Sequence, residues 1–70
     1  MRIHVLNGDL LEDLAVYLRA AECTVEKLGT DVLEVDIPRA PSIDQARREL
    51  ELYLAAWRAM HEDARVELVG

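Results

Sequence analysis

The sequence is poor in cysteine, in aromatic residues and in positive charge, and each shortage closes off a class of function. Cys23 is the single cysteine. No disulfide can form within the chain, and neither a C-x-x-C pair nor a Cys/His zinc spacing is present. A chain of 70 residues buries only about 60% of the surface its unfolded form would expose, so domains of this size recruit a disulfide, a metal or a partner subunit. With the first two unsupported, the partner subunit remains, and the cysteine usage fits a reducing, cytoplasmic setting. No cofactor and no metal are expected.

Phenylalanine is absent, and the aromatics are Tyr17, Tyr53 and Trp57. Small α+β domains that bind RNA stack bases on aromatic side chains of their central strands inside a basic surround. Here the aromatics fall in helical patterns, and Asp and Glu outnumber Lys and Arg 14 to 8 for a net charge of -6. That balance repels phosphate, so nucleic acid is not an expected partner. No apolar run approaches bilayer length, and Met1-Arg2-Ile3-His4 does not open a signal peptide. The expectation is a soluble cytoplasmic protein without a membrane partner.

What the sequence does carry is clean periodicity. Ile3 and Val5 alternate with Arg2, His4 and Leu6, as in a half-buried strand. Asn7-Gly8-Asp9 breaks the pattern, and Asp9 with Glu12 has the spacing of an acidic capping box that opens a helix. Leu10, Leu11, Leu14, Leu18 and Ala21 recur at helical steps and the helix should end near Glu22. Thr24–Leu28 and Val32–Ile37, joined by Gly29-Thr30-Asp31, read as a hairpin with Leu33, Val35 and Ile37 inward. Pro38 and Pro41 hold an extended linker, and Ser42 with Gln45 forms a second capping box. Ile43, Ala46, Leu50, Tyr53, Trp57 and Met60 hold one face of a second helix for about five turns. Ala64, Val66 and Leu68 alternate with Arg65, Glu67 and Val69 in a last strand.

One domain, residues 1–70, follows. Two helices with one apolar stripe each and four strands with one apolar face each are satisfied by an α+β two-layer sandwich, both helices on one face of an antiparallel sheet. Right-handed crossovers make it the ferredoxin-like βαββαβ arrangement, strand order 4-1-3-2.

The candidate functional residues lie in three places. Opposite the core stripe of the second helix, Leu52, Ala55, Ala56 and Ala59 stand where a solvated helix shows charge, interrupted by Arg48, Glu51, Arg58 and Glu62. Small side chains let another helix approach, so this stripe is the expected interface of a homodimer, or of a protein partner. Asn7, Gly8 and Asp9 lie where a strand enters a helix, and helix N-terminal N–H groups bind anionic ligands, although a capping Asp9 would already occupy them. On the open sheet face, His4 among Glu34, Asp36 and Glu67 has metal-capable side chains without ligand spacing. Cys23, after a helix C-terminus where the dipole raises a thiol's pKa, reads as a small buried hydrophobe. His61 suits the C-terminal end of the second helix. No Ser/His/Asp set, glycine-rich phosphate loop or glycosidase-like carboxylate pair occurs, so catalytic residues are not assigned.

The run His4-Val5-Leu6-Asn7-Gly8-Asp9-Leu10-Leu11, followed by Leu14, Leu18 and Ala21 and by Cys23-Thr24-Val25, resembles the opening of ACT-type regulatory domains. In that family a Gly followed by a Leu begins the first helix and a small residue leads into the second strand. The chain has Asn7 where that family has a proline before the glycine, and a longer second helix. The resemblance implies a regulatory domain of this element order, and the two departures bear on whether it shares that family's amino-acid binding. Heavy-metal-associated domains share the element order, but their paired cysteines are missing. The small core, the exposed Leu/Ala stripe and the missing catalytic groups together make the main functional expectation a non-enzymatic, self-associating module, with a small ligand or a protein partner near Gly8 as its expected binding partner. Its alternatives are a protein-interaction adaptor and a small enzyme using His4 or Asp9 in a cleft formed at an oligomer interface.

Overall fold

Alternation of apolar and polar residues in Arg2–Val5 and Val32–Asp36 builds the two central strands of the sheet. The computed structural model describes residues 1–69, with strands β1 (Arg2–Val5), β2 (Thr24–Lys27), β3 (Val32–Asp36) and β4 (Val66–Val69) and helices α1 (Leu11–Ala20) and α2 (Ile43–Met60). All neighbouring strands are antiparallel, in the order β2-β3-β1-β4. Read from the β4 edge, this is β4-β1-β3-β2. Ile3 sits opposite Leu33 and Leu68, which puts the apolar members of three strands on one face of the sheet.

That face and one side of each helix share a single apolar cluster. Ile3 and Val5 of β1, Leu33 and Val35 of β3, Leu14 and Leu18 of α1, and Leu50 and Trp57 of α2 are fully buried in it. No charged or polar residue is buried among the described residues. Hydrophobic burial therefore supplies the main drive to fold, with no buried ion pair to offset.

The start of α1 differs from the sequence expectation. Gly8–Leu10 form a single 3-10 turn, α1 begins at Leu11, and neither Asn7 nor Leu10 caps with its side chain. Asp9 is an exposed member of that turn and not an N-cap, so the Asp9/Glu12 capping box does not form. Asn7 instead accepts with its side-chain Oδ1 from the Arg65 N–H at 2.7 Å. That bond ties the exit of β1 to the entry of β4, which also pair through Leu6 N–H and Arg65 O at 2.8 Å. Glu12, freed from capping, pairs with Lys27 at the end of β2, whose hydrogen bond lowers the Glu12 carboxyl pKa.

The end of α1 has a defined stop. Cys23 N–H donates to Leu18 O and Glu22 N–H to Arg19 O, both at 3.0 Å. This is the Schellman pattern, with Glu22 in the left-handed position at φ 67°. The start of α2 is as expected, Gln45 N–H donating to Ser42 Oγ at 3.1 Å.

The core stripe of α2 needs correction. Ile43 is 82% exposed and Met60 62% exposed, and Tyr53 is only half-buried. The buried residues are Ala46, Leu50, Leu54 and Trp57. An 18-residue helix is about 27 Å long and outruns the short strands beneath it, so its two terminal apolar residues lie beyond the sheet. Leu54, one turn from both Leu50 and Trp57, points down where the sheet is present.

Candidate functional site

On α2, burial of Ala46, Leu50, Leu54 and Trp57 fixes the rotation of the helix, and the residues on the far side follow from 100° per residue. Ala55, Ala56 and Ala59 are all exposed, and Leu52 is 70% exposed among them. The structure thus brings the four residues of the expected interface onto one outward face. Arg48 lies one turn before Leu52, and Glu62 in the turn that follows the helix, both exposed. Neither enters an ion pair among the described residues, whereas the neighbouring Arg47 is held by Glu51 at 3.5 Å.

At the strand-to-helix junction, Asn7, Gly8 and Asp9 stand at the entry to a 3-10 turn and not at the first turn of α1. Leu10 N–H is already bonded to Asn7 O at 2.8 Å within the 3-10 turn, and the Asn7 side chain is committed to Arg65. Gly8 does not adopt a positive φ, and a side chain there would meet Thr30 O at 3.4 Å, an ordinary contact distance. Asn7 borders a shallow depression with Leu6, Glu62, Asp63, Ala64 and Arg65 whose rim carries two carboxylates, a poor setting for an anion.

The open sheet face is a ladder of charged side chains. Glu34 accepts from the Met1 amino group at 2.7 Å and from Arg2 Nε at 3.2 Å, and these two bonds lower its carboxyl pKa. His4 does not gather Glu34, Asp36 and Glu67; its Nε2 lies 3.0 Å from Asp31 Oδ2 in the β2–β3 turn. Among the described residues no group of three or more His, Cys, Asp or Glu side chains is placed to hold a metal ion. Cys23 is buried, and that burial pushes its thiol up. A thiol so placed is a poor nucleophile.

One polar cluster escaped the sequence reading. Trp57 is fully buried, yet its indole N–H donates to Asp13 Oδ2 at 2.8 Å. His61 stacks on the Trp57 ring at 4.5 Å between centroids, with Nε2 2.9 Å from the same Asp13 oxygen and Nδ1 3.0 Å from Trp57 O. Asp13 in this way ties the first turn of α1 to the last turn of α2. The signal in the sequence was the four-residue step from Trp57 to His61, which stacks the two rings on one helix face. Their partner Asp13 lies 44 residues before Trp57, and no local pattern shows it.

No described helix is long and apolar enough to cross a membrane. Comparison of the chain with protein-family models, curated proteins and solved structures finds no match in any of the three.

Proposed function

We propose that this chain is a non-enzymatic, self-associating module of ferredoxin-like, ACT-like arrangement, which pairs with a second copy through the outer face of α2. The observation that carries the reading is Leu52, 70% exposed at the centre of a helix whose inner face is already fully used by the core. Ala55, Ala56 and Ala59 around it cost no side-chain entropy on ordering and leave room for a large side chain from the partner. A core this small gains from apolar area buried at a subunit boundary. The setting of the two candidate reactive groups supports a binding role: the Cys23 thiol is raised and enclosed, and His4 is engaged with the Asp31 carboxylate.

A single helix face gives an interface at the small end of the range, below about 1,200 Å² in total, so association should be weak and exchanging. Sedimentation velocity over a wide concentration range is the direct test. The wild type should move from monomer towards dimer, and Leu52→Glu should stay monomeric with its fold intact by circular dichroism. A wild type that stays monomeric throughout, or a dimer indifferent to Leu52→Glu, would refute the reading.

A further inference from the structure

The last turn of α2 and the first turn of α1 meet at side chains that the proposed dimer face does not use. Asp13 Oδ2 accepts from the Trp57 indole N–H at 2.8 Å and lies 2.9 Å from His61 Nε2, while His61 Nδ1 lies 3.0 Å from Trp57 O. Each ring nitrogen of His61 therefore faces an oxygen that, as a carbonyl or a carboxylate, can only accept. The neutral ring has one proton for the two contacts, and the nitrogen without it sets a lone pair against an oxygen lone pair. The ring with both protons satisfies the two together. From this geometry we infer that Asp13, Trp57 and His61 form a pH-sensitive latch between the helices, closed when the His61 ring carries both protons and released when it carries one.

The surroundings favour the cation. The ring stacks on Trp57 with 4.5 Å between centroids, and an indole face attracts positive charge. His61 is also the cap residue of α2, at the negative end of the helix dipole. Glu62 and Asp63 follow it and border the same depression, to which the 3-10 turn contributes the uncharged Leu10, with Asp9 exposed beside it. On α1, Asp13 is the contacting charge, and Glu12 is committed to Lys27. Arg58, whose carbonyl takes the His61 N–H at 3.1 Å, is the cation nearest in the chain and is itself exposed to water. The His61 side chain is 27% exposed, so its protons exchange with solvent. The latch is thus closed at low pH and loosens as the pH rises and the second proton leaves, which lets water reach the Trp57–Asp13 bond.

Trp57 is the single tryptophan, so its indole N–H gives one reporter signal in a proton magnetic resonance spectrum. Its hydrogen exchange would be measured for wild type, His61→Gln, Asp13→Asn and His4→Gln at about pH 5 and about pH 9, on either side of the ordinary imidazole range. Relative to His61→Gln, in which every other titrating group is kept, wild type should protect the indole proton about 3- to 30-fold at the lower pH and within about 2-fold at the higher. Asp13→Asn keeps an acceptor for the indole but removes the charge, and should lose most of that pH dependence. His4→Gln should retain it, which separates the latch from the chain's other imidazole. Should His61→Gln fail to fold, wild type against Asp13→Asn gives the same readout. A protection ratio that is equal at the two pH values, or a wild-type pH dependence that survives Asp13→Asn, overturns the latch.

Discussion

Glu22 offers a test of backbone physics that does not depend on the function. It occupies the position after the α1 cap at φ 67°, a region in which a side chain crowds the adjoining carbonyl. That conformation costs an L-residue about 1–2 kcal/mol, whereas glycine adopts it without penalty. Against the gain stands the entropy that a new glycine adds to the unfolded chain, about 0.5–1 kcal/mol. The Glu22–Arg39 ion pair at 3.1 Å would also go, but Glu22 is 80% exposed and such a pair contributes little in water. The balance leaves Glu22→Gly more stable by about 0.5 kcal/mol, a rise in melting temperature of about 2–4 °C for a domain of this size. Glu22→Ala, which loses the pair and keeps the strain, should be no more stable than wild type, with Glu22→Asn between Ala and Gly. A β-branched Glu22→Val should be the least stable of the series. Thermal and urea unfolding followed by circular dichroism would rank the variants, at one fixed low protein concentration so that association does not contribute. Unchanged urea slopes would show that stability changed without a change in the surface exposed on unfolding. A Glu22→Gly protein no more stable than Glu22→Ala would refute the reasoning.

Other consequences follow from the same contacts. Asp13→Ala leaves the Trp57 N–H without its partner and should cost about 1–3 kcal/mol, nearer the lower figure because water can reach the half-exposed Asp13 position. Asp13→Asn keeps an acceptor and should recover most of that loss, and a red shift of Trp57 fluorescence in the alanine variant would report the opened site. Leu54→Ala, in the core, should cost about 2–5 kcal/mol, while Ile43→Ala and Met60→Ala should each stay within about 0.5 kcal/mol, as urea midpoints would show. Hydrogen bonds from the Met1 amino group and then Arg2 lower the Glu34 pKa, so Glu34 favours the fold above the ordinary glutamate value. That contribution is lost as pH falls through the lowered folded-state pKa. Glu34→Gln should therefore flatten the acid limb of a stability profile taken between about pH 7 and about pH 3, and an unchanged slope would count against the assignment.

How far the sequence could be read depended on whether the signal was local. Strand alternation put Ile3, Val5, Leu33 and Val35 inward because side chains in a strand change face at every residue, and pairing cannot alter that. Ser42 was legible because its cap closes on Gln45, three residues on. Asp9 carried the same local spacing and failed, because Asn7 is held by Arg65 from the far end of the chain and the backbone enters α1 through a 3-10 turn. Ile43 and Met60 failed for a reason of length: periodicity says which side of a helix is apolar, not how much sheet lies beneath it. The candidate interface divides along the same line. Leu52, Ala55, Ala56 and Ala59 share an outward face by helix geometry alone, so the sequence was enough to bring them together. The charges around it divide in the same way: Arg47 and Glu51 pair at the local four-residue step of one helix, whereas Glu34 and Asp13 find their partners through contacts between elements far apart in the chain. Whether that face meets a second copy is decided by the folded surface and not by local spacing, and sedimentation of the wild type beside Leu52→Glu tests it directly.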